Sequence, residues 1–161
     1  MTIKVGDKIP SVKLKYMGAN GPAEITTDEL FAGKKVVLFG LPGAFTPTCS
    51  AKHVPGFVQH ADAIKKKGVS TIACISVNDA FVMGAWGKEQ GAGEKVMMLA
   101  DGNADFTKAA GLEQDLSAAG LGLRSKRYAM IVDKGAVKWM GVEEAPGKLE
   151  ASSAEAVLTH L

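Results

Sequence analysis

The sequence predicts an α/β fold in which helices flank a central mixed β-sheet and a β-hairpin extends the N-terminus. Short apolar runs bounded by turn residues indicate strands that are buried on both faces of a sheet. Segments with helical periodicity alternate with these runs, and the last two strands flank a tight turn. The chain has 161 residues, 47% of them hydrophobic, which is enough for one core, so we expect residues 1–161 to form a single domain.

The N-terminal part of the chain predicts a hairpin, a short helix and a first buried strand. Extended pieces alternate with turn signals over residues 1–34, and the segment GANGP at 18–22 marks the hairpin turn. Residues 27–30 (TDEL) indicate a helical cap and turn. The apolar run at 35–41 predicts a buried strand, and a loop rich in Gly and Pro follows at 42–48.

The middle of the chain alternates helices with strands. Residues 49–67 carry apolar side chains at helical spacing, although the Pro55-Gly56 pair predicts a kink or break, and Gly68 ends the helix. Further strands are predicted at 69–77 and 96–99, and further helices at 80–90 and 103–110.

The C-terminal part predicts an antiparallel hairpin and a last helix. Strands at 128–132 and 137–142 flank the turn DKG at 133–135, and residues 152–160 form an amphipathic helix. Parallel β-α-β units followed by an antiparallel hairpin and a final helix are typical of a thioredoxin-like fold.

Charge and composition exclude several functions. The chain has 19 Lys+Arg against 17 Asp+Glu and no basic run longer than three lysines, so nucleic acid is not an expected partner. No stretch approaches the ~18 apolar residues that span a bilayer, and the N-terminus lacks a signal-peptide pattern, so we expect no membrane partner and a cytoplasmic location. The two cysteines and three histidines lie at unrelated spacings, so we expect no metal site. The glycine pairs match no nucleotide-binding fingerprint, so we expect no cofactor.

Cys49 is the residue best placed for chemistry. It lies where a strand passes into a helix, and the unpaired N–H groups and dipole of a helix start favour negative charge. The thiolate is the nucleophilic form of cysteine, whereas an inert core cysteine would suit this polar loop poorly. Complete ionisation adds at most about 30-fold in rate, and lower nucleophilicity removes about 10-fold of that gain. The site must therefore also activate its substrate.

The loop before Cys49 carries a known signature. Pro42, Thr46 and Cys49 reproduce the P-x-x-x-T-x-x-C pattern of peroxiredoxins, and the string PGAFTPTCS resembles the type II (peroxiredoxin V-like) branch. Three later blocks resemble the same branch, namely VNDAFVMGAW (77–86), LADGNADFTKAAGL (99–112) and RSKRYAMIVDKG (124–135). The resemblance covers nearly the whole chain. It implies a thiol-dependent peroxidase that reduces hydrogen peroxide and organic (alkyl) hydroperoxides in antioxidant defence.

The resemblance also implies a role for each site residue. Cys49 is the peroxidatic cysteine and forms a sulfenic acid, Thr46 hydrogen-bonds thiolate and peroxide, and Pro42 shields the site. Arg127 stabilises the thiolate and the polarised O–O bond. Arginine suits this role because it is permanently charged and offers several donors in one fork.

Residue chemistry alone leaves alternatives open. Thr46 is equally well explained as an ordinary capping or turn threonine, and Arg124 and Lys126 are as eligible as Arg127. Cys74 lies in a predicted buried strand, which favours an inert core cysteine. It matches a second cysteine of many type II members, so a secondary redox role stays open.

The C-terminal region determines the expected reductant. Some type II members carry a resolving cysteine there, but this chain reads EEAPGKLEASSAEAVLTHL and has none. A sulfenic acid at Cys49 must then condense with an outside thiol, so we expect reduction by glutathione or glutaredoxin, with thioredoxin as second choice. One alternative is a thiol-disulfide oxidoreductase, which the absence of C-x-x-C disfavours. The other is a redox-sensing or chaperone-like binding protein that uses oxidation of Cys49 as a switch.

Two further features concern histidine and assembly. His53 lies four residues after Cys49, which suggests a Cys-His hydrolase dyad, but the surrounding sequence favours a local structural hydrogen bond. Phe45 is an apolar residue in a polar loop, and in the family that this chain resembles such loops pack across a homodimer interface. We therefore expect a homodimer to which Phe45, Phe81 and Leu121 contribute.

Overall fold

The structure is a computed structural model and describes residues 2–161. The strands are β1 (Lys13–Gly18), β2 (Gly21–Thr26), β3 (Lys35–Gly40), β4 (Thr71–Ser76), β5 (Met97–Ala100), β6 (Glu113–Asp115), β7 (Leu123–Ser125), β8 (Tyr128–Asp133) and β9 (Ala136–Val142). The α-helices are α1 (Thr27–Phe31), α2 (Val54–Lys66), α3 (Ala80–Glu89), α4 (Asp105–Ala109) and α5 (Ala154–Thr159). A π-helical turn occupies Cys49–His53, and a 3₁₀ turn occupies Ser117–Ala119.

Seven of the strands form one mixed sheet in the order β2-β1-β5-β4-β3-β8-β9. The central strands β3, β4 and β5 run parallel, whereas β1 joins β5, and β8 joins β3, in antiparallel pairing. The β1–β2 and β8–β9 hairpins form the two edges. The predicted central mixed sheet with an N-terminal hairpin is confirmed, and its arrangement is that of a thioredoxin-like fold.

Side chains of the central strands alternate between two hydrophobic clusters, one on each face of the sheet. Phe39 and Cys74 point into the cluster that α2, α3 and α5 cover, while Leu38 and Ile75 point into the cluster that α1 and α4 cover. All four side chains are at most 1% exposed. Burial on both faces explains why β3 and β4 are continuous apolar runs rather than alternating ones.

The predicted helices and main strands agree with the observed bounds within two residues. The predicted turn at 133–135 has a clear physical basis, because Lys134 and Gly135 both adopt positive φ (52° and 82°). Positive φ at both central residues of a two-residue hairpin is the geometry that matches the twist of the flanking strands.

Three local predictions were wrong or incomplete. The helical cap is Thr26, one residue before the predicted position, in a capping box with Glu29. Pro55-Gly56 does not break the helix, because the π-helical turn Cys49–His53 precedes Pro55 and the helical stretch continues through α2. The short β6–β7 pair was not predicted, because three-residue strands show too few residues for an alternating pattern.

Candidate active site

Cys49 lies at the carboxyl end of β3, in the first turn of a helical stretch. The stretch starts at Pro47 and runs through the π-helical turn into α2. Its first backbone bond runs from the N–H of Ser50 to the carbonyl of Thr46 at 2.9 Å, so the N–H groups of Thr48 and Cys49 precede the helical bonding pattern. The sulfur of Cys49 is a free thiol and is 0% exposed. A negative charge on this sulfur is therefore held at a helix start and away from bulk water.

Arg127, the residue directly before β8, places its guanidinium beside this sulfur. Its Nη2 lies 3.1 Å from Sγ of Cys49, its Nη1 lies 2.9 Å from Nδ1 of His53, and its Nε donates to the carbonyl of Pro146 at 3.0 Å. The side chain is 2% exposed. Within residues 2–161, no carboxylate lies within ion-pair distance of this guanidinium. A thiolate at Cys49 is therefore the anion in position to balance a buried positive charge.

His53 is buried beside Arg127 and does not act on the sulfur. An arginine can only donate, so Nδ1 of His53 is the acceptor and Nε2 carries the proton, which it donates to the carbonyl of Ser152 at 2.9 Å. Burial, reinforced by the charge of Arg127, lowers the pKa of His53 to about 3, against the opposing bond to Ser152. The partners are 74 and 99 positions away, so the predicted local hydrogen bond was wrong. With both ring nitrogens engaged, His53 is not placed as a base for Cys49.

The loop before Cys49 is held by its own hydrogen bonds and by Arg124. The hydroxyl of Thr46 donates to the carbonyl of Gly43 at 2.6 Å, so it does not donate to the sulfur of Cys49 as the resemblance implies, and its lone pairs are left to accept a bond. Pro42 is buried, and its carbonyl accepts from Nη1 of Arg124 at 3.2 Å. Arg124 thus contacts the loop, and Arg127 is the arginine that the fold brings to the sulfur.

Side chains from the neighbouring strand and helix fix this loop from the other side. The carbonyl oxygen of the Asn78 side chain accepts from the N–H of Ala44 at 2.9 Å. Nε1 of Trp86 donates to the hydroxyl of Ser50 at 3.0 Å, next to Cys49. Phe45 adopts φ of 63° and is 52% exposed, a strained conformation for a residue with a bulky side chain. Asn78 was not predicted to belong to the site. Its position could have indicated this, because it follows β4, which runs parallel to β3, so the loops after both strands meet at the same edge of the sheet.

Cys74 lies in β4 opposite Phe39 of β3 and is 0% exposed. Burial raises the pKa of the Cys74 thiol, and a negative charge at Cys49 raises it further, while Arg127 opposes the shift. This cysteine therefore stays protonated in the folded chain. A protonated thiol in a packed core is a poor nucleophile.

The structure also bears on metal binding and on membrane insertion. Over the described residues 2–161, no group of three or more His, Cys, Asp or Glu is arranged to hold a metal ion. No helix in that same range is long and apolar enough to cross a membrane.

Comparison with known proteins gives consistent matches over nearly the whole chain. Residues 4–158 match the Redoxin family. The chain is 52% identical over 164 residues to chloroplastic peroxiredoxin-2E of Arabidopsis thaliana, covering 99% of this chain and 70% of the relative. It is 47% identical over 160 residues to peroxiredoxin-2B of the same plant, covering 99% and 98% of the two chains.

Solved structures agree with these relatives. The structure of reduced Prx3 in complex with hydrogen peroxide from Vibrio vulnificus superposes with a TM-score of 0.93 at 53% identity and covers 99% of both chains. Peroxiredoxin 5 from Alvinella pompejana superposes with a TM-score of 0.85 at 38% identity, covering 98% of this chain and 96% of that one. Together with the signature around Cys49, these matches show that the chain belongs to the peroxiredoxins, thiol peroxidases of antioxidant defence, in their type II (peroxiredoxin V-like) branch.

Proposed function

We propose that this peroxiredoxin reduces hydrogen peroxide and small organic hydroperoxides at Cys49, with Arg127 as the residue that polarises the substrate. The 3.1 Å contact between Nη2 of Arg127 and Sγ of Cys49 carries the proposal. Three of the five N–H groups of the guanidinium are occupied, so two on the terminal nitrogens are left for peroxide oxygens. The same group then stabilises both the nucleophile and the charge that develops on the leaving oxygen.

The chemical step is a two-electron transfer from sulfur to oxygen. The thiolate of Cys49 attacks one peroxide oxygen, an S–O bond forms and the O–O bond breaks. The leaving oxygen departs as hydroxide or alkoxide and takes up a proton to become water or an alcohol. Sulfur is oxidised to the sulfenic acid, and the peroxide is reduced.

Thr46 and Pro42 supply the surroundings of this step. Because the proton of the Thr46 hydroxyl is donated to Gly43, we propose that its lone pairs accept the O–H of the peroxide and align the O–O bond with the sulfur. Pro42 has no N–H that could bind water, and its ring shields the sulfur from solvent. The burial of both Pro42 and Cys49 supports this arrangement.

An external thiol completes the cycle. Cys74 is buried and protonated, and the C-terminal segment after β9 contains no cysteine. We therefore propose that glutathione attacks the sulfenic acid, releases water and forms a mixed disulfide, which glutaredoxin or a second glutathione reduces. Thioredoxin is the second choice. Since Cys49 is 0% exposed, we propose that the first helical turn opens to admit glutathione to the sulfenic acid.

Intact mass spectrometry tests the whole cycle. The protein receives one equivalent of peroxide with or without glutathione. We expect a gain of one oxygen without glutathione and a glutathione adduct with it, and neither product in Cys49→Ser. Loss of two hydrogens in place of the adduct would indicate an internal Cys49–Cys74 disulfide and contradict the proposed reductant.

We also propose a homodimer in which Phe45 and Phe81 lie at the interface together with Leu121. Phe45 and Phe81 are 52% and 67% exposed in the single chain, and the Phe45 ring lies 6.3 Å from that of Trp86. We take the exposure of these two aromatic side chains as support for a surface that a second copy of the chain covers. Sedimentation should show a dimer at micromolar concentration, and Phe45→Glu should shift it to monomer.

The cytoplasm is the compartment that we propose. The sequence supports this proposal, because two cysteines are too few for the disulfide framework that is typical of secreted proteins. Fractionation of cells that express the tagged chain tests this location, and recovery in a membrane or organelle fraction would contradict it.

A further inference from the structure

We propose that His53 is a positioning residue for peroxide reduction, in that its unprotonated Nδ1 holds the guanidinium of Arg127 with Nη2 directed at Cys49. The inference rests on the proposed function and deepens it. It assigns His53 a role through Arg127 rather than on the sulfur or the substrate.

The guanidinium has two anchors besides the sulfur. Nη1 donates to Nδ1 of His53 at 2.9 Å, and Nε donates to the carbonyl of Pro146 at 3.0 Å. Pro146 lies in an exposed loop, whereas His53 is 1% exposed. Because the guanidinium is planar, fixing Nη1 and Nε fixes the direction of Nη2. His53 is therefore the anchor that lies inside the core, whereas Pro146 is an anchor at the surface.

The imidazole is itself fixed on several sides. Its ring lies 4.9 Å from the ring of Phe39 and 5.6 Å from that of Phe57. Nε2 donates to the carbonyl of Ser152 at 2.9 Å. The N–H and hydroxyl of Ser152 in turn donate to Oε2 of Glu143 at 2.7 and 2.6 Å. This chain of bonds fixes both the orientation and the tautomer of His53, so that Nδ1 is presented as an acceptor.

The low pKa of His53, about 3, agrees with this role. A protonated imidazole would lose the acceptor and place a second positive charge against Arg127. The neutral ring is therefore the form that binds the guanidinium throughout the physiological range of pH.

Two polar substitutions separate positioning from simple structural support. In His53→Asn the side-chain carbonyl oxygen takes the place of Nδ1, so the bond to Arg127 is kept and the bond to Ser152 is lost. In His53→Gln the amide reaches toward Ser152, so that bond is kept and the acceptor for Arg127 is displaced. Positioning predicts that the asparagine variant is the more active, and structural support predicts the reverse order.

The measured quantity is the second-order rate constant for oxidation of Cys49 by hydrogen peroxide in stopped flow. We expect His53→Gln to lower it by about 10- to 100-fold, the loss typical of a misplaced catalytic group, and His53→Asn to stay within about 3-fold of the parent. Equal rates for the two variants, or a slower asparagine variant, would overturn the proposal. If His53→Gln does not fold, His53→Phe replaces it, since a phenyl ring keeps the volume without the acceptor.

A double-mutant cycle with Arg127→Ala gives the second readout. If His53 acts through the guanidinium, His53→Gln should slow the Arg127→Ala protein by less than about 2-fold, because the two changes remove one interaction. An undiminished effect in that background would show that His53 acts independently of Arg127. The parent protein separates failure of the proposed function from failure of the role of His53. If the parent does not consume peroxide, the proposed function is wrong. If the parent is fast and the His53 variants are equally fast, only the role of His53 is rejected.

Discussion

Nη2 of Arg127 lies 3.1 Å from Sγ of Cys49, although 78 positions separate the two residues in the chain. The antiparallel pairing of β3 with β8 produces this contact. Gly40, the last residue of β3, pairs with Tyr128, the first residue of β8, so the segments that follow Gly40 and precede Tyr128 meet at one edge of the sheet. The thiol of Cys49 and the guanidinium of Arg127 are therefore brought together by the register of two central strands.

Arg127→Lys tests the need for the guanidinium fork. A lysine keeps the charge but has only three N–H donors, which the sulfur, His53 and the carbonyl of Pro146 would use up, so none is left for a peroxide oxygen. We therefore expect the rate constant for Cys49 oxidation to fall by about 100-fold. Stopped-flow tryptophan fluorescence provides the rate, since Trp86 contacts Ser50 beside Cys49. The matched change Arg124→Lys affects an arginine that bonds Pro42 rather than the sulfur, and its loss should be at least 10 times smaller. Equal losses would refute the assignment to Arg127.

Cys74→Ala tests whether the second thiol takes part in turnover. We expect turnover with glutathione and glutaredoxin to stay within about 2-fold of the parent, because a buried, protonated thiol is a poor nucleophile. The free energy of unfolding should fall by about 1 kcal/mol, since the change leaves a small cavity in the core. Loss of turnover with every thiol donor would indicate instead that Cys74 resolves the sulfenic acid.

The sequence predicts the parts of this site that depend on local pattern. Continuous apolar runs predict β3 and β4, and a cysteine after a Pro- and Gly-rich loop predicts a thiolate at a helix start. The choice of Arg127 over Arg124 came from the family resemblance, because a contact across 78 positions leaves no local signal. The role of His53 was missed for a related reason. The four-residue spacing assumes an α-helix, whereas Cys49–His53 is a π-helical turn with a wider repeat.

Gly40→Ala tests the close approach of β3 and β8 beneath the site. A Cβ at residue 40 would lie 2.5 Å from Cζ of the Tyr128 ring, which is 0% exposed and enclosed by the core. We expect the free energy of unfolding to fall by about 1–3 kcal/mol, as in other overpacked cores, measured by urea denaturation. The matched control is Gly56→Ala in α2, where the nearest side-chain atom is 4.0 Å away and alanine should add up to about 1 kcal/mol. A neutral effect of Gly40→Ala would contradict this packing.

The burial of His53 predicts how stability depends on pH. Its pKa is about 3 in the folded chain and has an ordinary value of 6.5 when the chain unfolds. The unfolded state therefore takes up a proton as the pH falls below 6.5, while the folded state does not. The free energy of unfolding is consequently highest above this pH and decreases toward acid pH. Between pH 7 and pH 5 the loss should be about 2 kcal/mol, at 1.36 kcal/mol per unit of pH.

Urea denaturation at a series of pH values measures this loss, and two variants assign it to one residue. His53→Asn should remove the decline between pH 7 and pH 5, whereas His160→Asn, at an exposed position, should leave it in place because His53 is still present. The hydrogen-bonded carboxyl of Glu143 does not interfere in this window. Although burial opposes the shift, bonds from Ser152 hold the pKa of that carboxyl below its ordinary 4.5, so its contribution is lost only at lower pH. A decline that persists in His53→Asn would show that the imidazole is not held neutral against Arg127.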